Sequence, residues 1–256
     1  MRILFLGNNW VGWQIASLLR ERGEEVVGVV LHPEDRRRFG DEIKHAAGCS
    51  AEYIFDGSQL SNQPTIERIQ RLAPEIGVSA MFGYIVRRQL LEIFSAGCIN
   101  VHTSLLPYNR GAYPNVWSIV DGTPAGVTIH YMDEGVDTGD IIAQREVPVS
   151  DCDTGASLQR KLELACVELF ADNWDPIKAG RSARMPQAGG LGSSHRVRDV
   201  DAIDTIDLDR HYSARELINI LRARTFPPHP GAYFLNNGRR VYVRVDLIPE
   251  GKLDGG

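Results

Sequence analysis

The stretch from Arg2 to Leu31 restricts the fold most. Residues 2–7 (RILFLG) form a short apolar run that ends in Gly. A segment with Val11, Ile15, Leu18 and Leu19 at helical spacing follows, and Gly23 closes it. Residues 25–31 (EVVGVVL) are again short, apolar and β-branched. Two apolar strands joined by an amphipathic helix predict a parallel pair with a right-handed crossover. The expected fold class is therefore α/β, a Rossmann-like domain with a mostly parallel sheet.

The rest of the chain continues that alternation. Residues 64–72 read as a helix stopped by Pro74, 78–82 as a strand, 86–94 as a helix closed by Gly97, and 98–101 as a strand. Residues 126–132 and 141–147 read as an antiparallel pair, and 155–170 as a long amphipathic helix. Beyond residue 180 the composition changes. The segment 186–194 (PQAGGLGSS) has the Gly, Ser and Pro content of a loop or linker. Residues 213–224 then read as a helix, with Ser213 as N-cap and Glu216 at the capping-box position. Residues 231–235, the turn Asn236-Asn237-Gly238 and residues 240–247 read as a hairpin. The expected division is a main domain over 1–185 and a small C-terminal helix and β-hairpin region over 186–256.

Composition narrows the functional classes. The net charge of -5 argues against a general nucleic-acid binder, which carries a basic face. Cys49, Cys98, Cys152 and Cys166 are scattered, with no Cys-x-x-Cys or Cys/His spacing for a metal. They read as the reduced thiols of a cytoplasmic protein. The chain starts directly in a strand, without a charged leader and long apolar run, and no stretch is apolar enough to span a bilayer. A soluble protein with no metal and no membrane partner is expected.

The chemistry is concentrated between Ile99 and Gln144. A buried strand ends in Asn100-Val101-His102, and alternation puts Asn100 and His102 on one side of it. Both lie at the C-terminal end of the strand, where open α/β sheets place their sites. The loop Pro107-Tyr108-Asn109-Arg110-Gly111 follows. An acidic turn, residues 133–140 (DEGVDTGD), lies between the two expected later strands. It lacks the full spacing of a calcium loop. Taken alone, Asn-x-His also reads as a hydrogen-bonded strand end and the turn as a plain hairpin.

Two motifs together go further. Residues 100–111 (NVHTSLLPYNRG) and 135–142 (GVDTGDII), in this order and at this separation, resemble the signature of the 10-formyltetrahydrofolate-dependent formyltransferases. That group includes glycinamide ribonucleotide transformylase, methionyl-tRNA formyltransferase and the sugar N-formyltransferases. The resemblance covers roughly residues 1–180, and Asn100, His102 and Ser104-Leu105-Leu106-Pro107 match it position by position. It implies that Asp137, and not Asp140, takes the place of the catalytic Asp.

The implied reaction explains those residue types. An acceptor amine attacks the formyl carbon of 10-formyltetrahydrofolate and forms a tetrahedral oxyanion. Asn100 donates its amide to that oxyanion, a contribution typically worth about 3 kcal/mol in the barrier. His102 takes a proton from the attacking nitrogen, or donates to the oxyanion once protonated, worth roughly a hundred- to ten-thousand-fold. Asp137 fixes the imidazole, stabilises its cation and holds a water that relays protons. The resemblance also implies a pterin site built largely from backbone at Phe82, Gly83, Tyr84, Ile85 and Val86, and at Asp133, Gly135, Val136 and Asp137. Gly83 permits close backbone approach. The turn at Gly7-Asn8-Asn9-Trp10 is not a dinucleotide fingerprint, so NAD is not expected.

The tail points to the acceptor. Residues 221–234 (LRARTFPPHPGAYF) are similar to a stretch that follows the catalytic domain in nucleotide-sugar N-formyltransferases. The resemblance implies formylation of a 3- or 4-amino group, the 4-amino favoured, on a dideoxy hexose linked to a nucleoside diphosphate. On this reading Arg110 and Gly111 meet the diphosphate and Asn8, Asn9 and Trp10 the nucleotide, with Phe226 and Tyr233 in the acceptor pocket. Each has a plainer alternative, Arg110 as a surface cation and the aromatics as core. The tail also offers a homodimer interface through the edge at residues 242–245. Two other readings stay open. One is a methionyl-tRNA or other small-amine formyltransferase; the other is a folate- or nucleotide-binding module that kept the fold.

Overall fold

The computed structural model describes residues 1–187 and 192–250. Its strands, in chain order, are β1 (Arg2–Gly7), β2 (Glu25–Leu31), β3 (Ile54–Asp56), β4 (Ile76–Ala80), β5 (Cys98–His102), β6 (Arg110–Gly111), β7 (Gly126–Tyr131), β8 (Ile141–Glu146), β9 (Ser194–His195), β10 (Tyr233–Asn236) and β11 (Arg239–Tyr242). The α-helices are α1 (Asn9–Glu21), α2 (Gly40–Ala47), α3 (Gln63–Arg71), α4 (Arg88–Leu91), α5 (Pro114–Val120), α6 (Gly155–Lys178), α7 (Asp201–Asp204) and α8 (Ala214–Arg224).

Seven strands form one sheet in the order β3-β2-β1-β4-β5-β7-β8. Strands β1 to β5 are parallel, whereas β7 runs antiparallel to β5. Ile3, Leu4, Phe5 and Leu6 of β1 are all fully buried, as a central strand covered on both faces must be. The strand order reverses between β1 and β4, so the crevice beyond their C-terminal ends is the topological switch point of the sheet. The chain closes it tightly: the Asn8 amide donates to the Ala80 carbonyl at 3.1 Å.

The chain divides into two compact units. One comprises Met1–His102, Val127–Arg145 and Glu163–Gly189; the other comprises Thr103–Gly126, Glu146–Leu162 and Gly190–Gly256. In the first, Leu4, Leu6, Val30, Phe55, Ile69 and Leu90 belong to one continuous apolar cluster on a face of the sheet. Trp174 of α6 is fully buried and its indole donates to Glu24 at 3.0 Å.

In the second unit, buried Asn109 donates its amide to the hydroxyls of Ser118 and Thr123 at 3.0 and 2.8 Å. Arg222 is buried as well, and its guanidinium donates to the carbonyls of Ser150 and Asp153, each at 3.0 Å. Helix α8 is capped by Ser213, whose hydroxyl accepts from the Glu216 amide at 3.1 Å. The Glu216 carboxylate does not complete a capping box; it pairs with Arg210 at 2.6 Å. The β10–β11 hairpin turns at Asn237 and Gly238, with φ of 49 and 75, the left-handed pair that a two-residue turn needs.

Several boundaries differ from the sequence expectations, each for a local reason. The strand expected at 78–82 starts two residues earlier and stops at Ala80, because Met81 is in the left-handed region at φ 55. The helix expected at 86–94 is only α4; beyond it the amides of Ile93 and Phe94 bond three residues back, in tight turns that end at Gly97. Helix α6 runs past Phe170 to Lys178 because Trp174 and Ile177 are buried too. Of the loop expected at 186–194, residues 188–191 lie outside the described residues.

Candidate active site

Strand β5 sets the first two groups. Ile99 and Val101 are buried in the sheet, which leaves Asn100 and His102 on the opposite side, both partly exposed. The antiparallel register places His130 of β7 directly opposite Asn100, and Thr128 opposite His102. Directly opposed residues project to the same face, so His130 joins the pair.

The third group arrives on a loop with little freedom. Asp133 accepts from the Gly135 amide at 2.9 Å and from the Thr138 hydroxyl at 2.7 Å, which folds the turn on itself. The Gln187 amide donates to the Asp137 and Gly139 carbonyls at 2.8 and 2.9 Å. Gly139 packs so closely on the Tyr131 carbonyl that any Cβ would collide with it. Asp137 itself has φ 53, a left-handed conformation that Asp tolerates better than most residues.

The result is a four-membered polar cluster. Asp137 Oδ2 lies 3.5 Å from His102 Nε2, and Asp137 Oδ1 lies 3.4 Å from His130 Nε2. Asn100 Nδ2 is 3.3 Å from His130 Nε2 and 3.5 Å from Asp137 Oδ1. The side chains of His102, Asp137 and His130 are 11%, 13% and 2% exposed. Charges and dipoles so shielded interact more strongly than at the surface. Asp140 points elsewhere, 3.7 Å from Arg184. The cluster supplies a neutral amide donor, two imidazoles and one carboxylate, a set suited to proton transfer beside a developing oxyanion. Burial pushes the thiol of Cys98, at the start of β5, up to about 12, so it is not a nucleophile at neutral pH.

The other expected site residues are placed as follows. Phe82 and Tyr84 surround His32, with ring centroids 5.3 and 5.0 Å away, and the Gly83 amide donates to His32 Nε2 at 3.1 Å. Burial and the nearby Arg36 hold the His32 pKa below its usual value. A cavity of about 320 Å³ is lined by Ser58, Ser61, Gly83, Tyr84, Ile85 and Arg87 among others. Val86 is buried in the core, whereas Ile85 and Val136 are 70% and 56% exposed at the tips of their loops.

Asn8 and Asn9 are tied to the 32–39 segment. Asn8 Oδ1 accepts from the Arg38 amide at 2.7 Å, and the Asn9 amide donates to the Arg38 carbonyl at 3.0 Å. Trp10, Arg110 and Gly111 are half-buried, and β6 pairs with β9. Phe226 meets His229 edge-on at 5.3 Å. Tyr233 lies under the Arg240 guanidinium at 4.6 Å, and its hydroxyl accepts from Thr205 at 2.9 Å.

Two residues were not found from the sequence: His130, a member of the cluster, and Gln187, which holds the Asp137 turn. The alternation of apolar Val127 and Ile129 with Thr128 and His130 is a usable signal, but it needs the register with β5. Gln187 carries no local signal, since its partners are backbone groups some fifty residues away.

The chain resembles known proteins along nearly its whole length. Residues 1–172 match the formyl transferase family, and residues 199–249 match the N-formyltransferase dimerization C-terminal domain. The chain is 33% identical to a methionyl-tRNA formyltransferase of Geotalea daltonii over 263 aligned residues, covering all of this chain and 82% of that protein. It superimposes on a crystal structure of a 4-N formyltransferase from Francisella tularensis with a TM-score of 0.79 and 29% identity, covering 97% of this chain and 98% of the other. A third relative is the formyltransferase PseJ from Anoxybacillus kamchatkensis, solved with UDP-4,6-dideoxy-4-formamido-L-AltNAc and tetrahydrofolate. It is 31% identical with a TM-score of 0.57, over 79% of this chain and 89% of the other. This chain belongs to the formyl transferase family and is a folate-dependent enzyme that transfers a formyl group.

Proposed function

We propose that the enzyme formylates an amino group, position 3 or 4 with position 4 favoured, on a dideoxy hexose linked to a nucleoside diphosphate. The donor is 10-formyltetrahydrofolate. The observation that carries the acceptor is the match of residues 199–249 to the C-terminal domain of N-formyltransferases. The end-to-end match to a 4-N formyltransferase supports it, as does the 4-formamido product held by a relative.

The reaction follows from the cluster. The acceptor nitrogen attacks the formyl carbon, and the carbonyl oxygen becomes an oxyanion that the Asn100 amide stabilises. His102 accepts the proton released by the attacking nitrogen, and Asp137 stabilises the resulting imidazolium. The carbon–nitrogen bond to the folate then breaks, that nitrogen takes up a proton, and tetrahydrofolate leaves. Exposed Ile85 and Val136 give apolar surface to the pterin ring, beside the backbone groups of residues 82–86 and 133–137. Arg110 and Gly111 are assigned to the diphosphate, Asn8, Asn9 and Trp10 to the nucleotide, and Phe226 and Tyr233 to the acceptor end. Among the described residues no group of three or more His, Cys, Asp and Glu is arranged to hold a metal ion.

The methionyl-tRNA relatives favour a second reading, formylation of a charged tRNA. The charge of the C-terminal segment weighs against it. Residues 199–249 hold seven Arg against seven Asp and Glu, a net of zero. A tRNA-binding surface draws most of its affinity from an excess of cations. The same segment is assigned to a homodimer, with exposed Leu235, Val241 and Tyr242 at the contact. No helix among the described residues is long and apolar enough to cross a membrane, and the reading puts the enzyme in the cytoplasm.

The test is an assay of tetrahydrofolate release with 10-formyltetrahydrofolate and a panel of dTDP-, UDP- and GDP-linked 3- and 4-amino sugars, with methionyl-tRNA as competitor class. Turnover of one or more sugars and none of methionyl-tRNA is expected. Turnover of methionyl-tRNA with every sugar inert would establish the second reading instead.

A further inference from the structure

We propose that His130 is a positioning residue that orients the Asn100 amide toward the reacting carbonyl. The ring is 2% exposed and its two nitrogens have different tasks. Nδ1 lies 2.8 Å from the carbonyl oxygen of Tyr131. A carbonyl only accepts, so Nδ1 carries the proton and donates. In the neutral ring this leaves Nε2 with a lone pair that faces Asn100 Nδ2 at 3.3 Å, while Asp137 Oδ1, 3.4 Å from the same nitrogen, only accepts and so makes no hydrogen bond to the unprotonated Nε2. An amide nitrogen only donates, so Nε2 accepts one of its two hydrogens.

The consequence concerns the second hydrogen. Asn100 Nδ2 reaches two acceptors at once, His130 Nε2 at 3.3 Å and Asp137 Oδ1 at 3.5 Å. Asp137 is the charged acceptor, so without His130 the amide turns wholly to it and takes charge from His102. With Nε2 accepting one hydrogen, the amide plane is fixed, and the second hydrogen, held only by the long contact to Oδ1, turns to the oxyanion as it forms. The backbone register holds His130 in place: it sits opposite Asn100 in the antiparallel β5–β7 pair, and its own Nδ1 is anchored one residue on. A donor aimed in advance is worth more than one that must reorganise during the reaction.

This rests on the oxyanion role of Asn100, and the experiment separates the two. Turnover and KM for 10-formyltetrahydrofolate are measured for wild type, His130→Leu, His130→Gln, Asn100→Ala and the double variant Asn100→Ala/His130→Leu, using the acceptor that the panel identifies. Leu fills the ring's place without an acceptor, and the Gln carbonyl oxygen reaches the Nε2 position and accepts. His130→Leu is expected to lower kcat about ten- to a hundredfold, below the loss for removing the donor itself, with KM for the folate changed less than about threefold. His130→Gln is expected to exceed His130→Leu at least about fivefold, as rescue by a neutral acceptor. In the Asn100→Ala background, His130→Leu is expected to cost less than about twofold more, because the group it positions is gone. Additive losses in the double variant, or Gln no better than Leu, overturn the proposal while an impaired Asn100→Ala keeps the role of Asn100. An Asn100→Ala enzyme as fast as wild type removes both. Should His130→Leu fail to fold by thermal melting, His130→Gln decides: loss of turnover as large as in Asn100→Ala overturns it, and retention of at least about a tenth supports it.

Discussion

Asp137 holds its Oδ2 3.5 Å from Nε2 of His102 while its own backbone sits in the left-handed region at φ 53. The carboxylate is thus presented by a turn and not by an element, and the precision of the site depends on what fixes that turn. Asp137→Asn keeps the size and the loop but removes the charge beside the imidazole. It is expected to lower kcat by roughly a hundred- to ten-thousand-fold with an unchanged melting temperature. Initial rates of tetrahydrofolate release check this, and a loss under about threefold would speak against the role.

Gln187 ties the Asp137 and Gly139 carbonyls together from one side chain. Gln187→Ala removes both bonds and lets the turn drift, without touching the reacting groups. A displacement of about an ångström at a catalytic group can cost a hundredfold, so a loss of ten- to a hundredfold in kcat is expected. The global stability is expected to fall by only about 1–3 kcal/mol, measured by chemical denaturation.

Gly139 is required by space, since a Cβ would meet the backbone carbonyl of Tyr131. A backbone atom in a sheet cannot swing aside as a side chain can. Gly139→Ala is expected to push the loop off β7, costing about 1–3 kcal/mol and most of the turnover. An alanine enzyme with wild-type rate and stability would show that the loop has slack.

Strand β5 was legible in the sequence because it alternates cleanly, and Asn100 and His102 fall on one face by arithmetic alone. The choice of Asp137 over Asp140 was not; both lie in the same Gly-rich turn, and only the family resemblance separated them. The geometry is that Asp137 faces His102 and Asp140 faces Arg184. His130 was missed for a different reason. It lies on a buried strand, and which of its neighbours it meets depends on the antiparallel register with β5, a long-range pairing that no local pattern encodes. The expected helix at 86–94 shows the opposite limit: its apolar spacing is helical, but the chain needs only one turn there before Gly97 redirects it.

Stability in acid gives a prediction independent of catalysis. Burial opposes ionisation of Asp153, but hydrogen bonds from Lys161, the Ser150 amide and the Ser157 hydroxyl outweigh it and hold the carboxyl below its ordinary value. A depressed folded-state pKa contributes stability that is complete above the unfolded value, about 3.9, and lost as pH falls through the folded value. Asp153→Asn is therefore expected to melt below wild type at pH 7, with the gap closing in acid below about pH 4. A gap that stays constant across that range would contradict the assignment.

The most direct test of the central claim is the turnover of His102→Ala with 10-formyltetrahydrofolate and the accepted nucleotide-linked amino sugar, the product identified by mass. The wild type is expected to add one formyl group to the sugar amine, and the variant, folded to the same melting temperature, to lose at least about a hundredfold in rate. Near-normal formylation by His102→Ala would contradict the account.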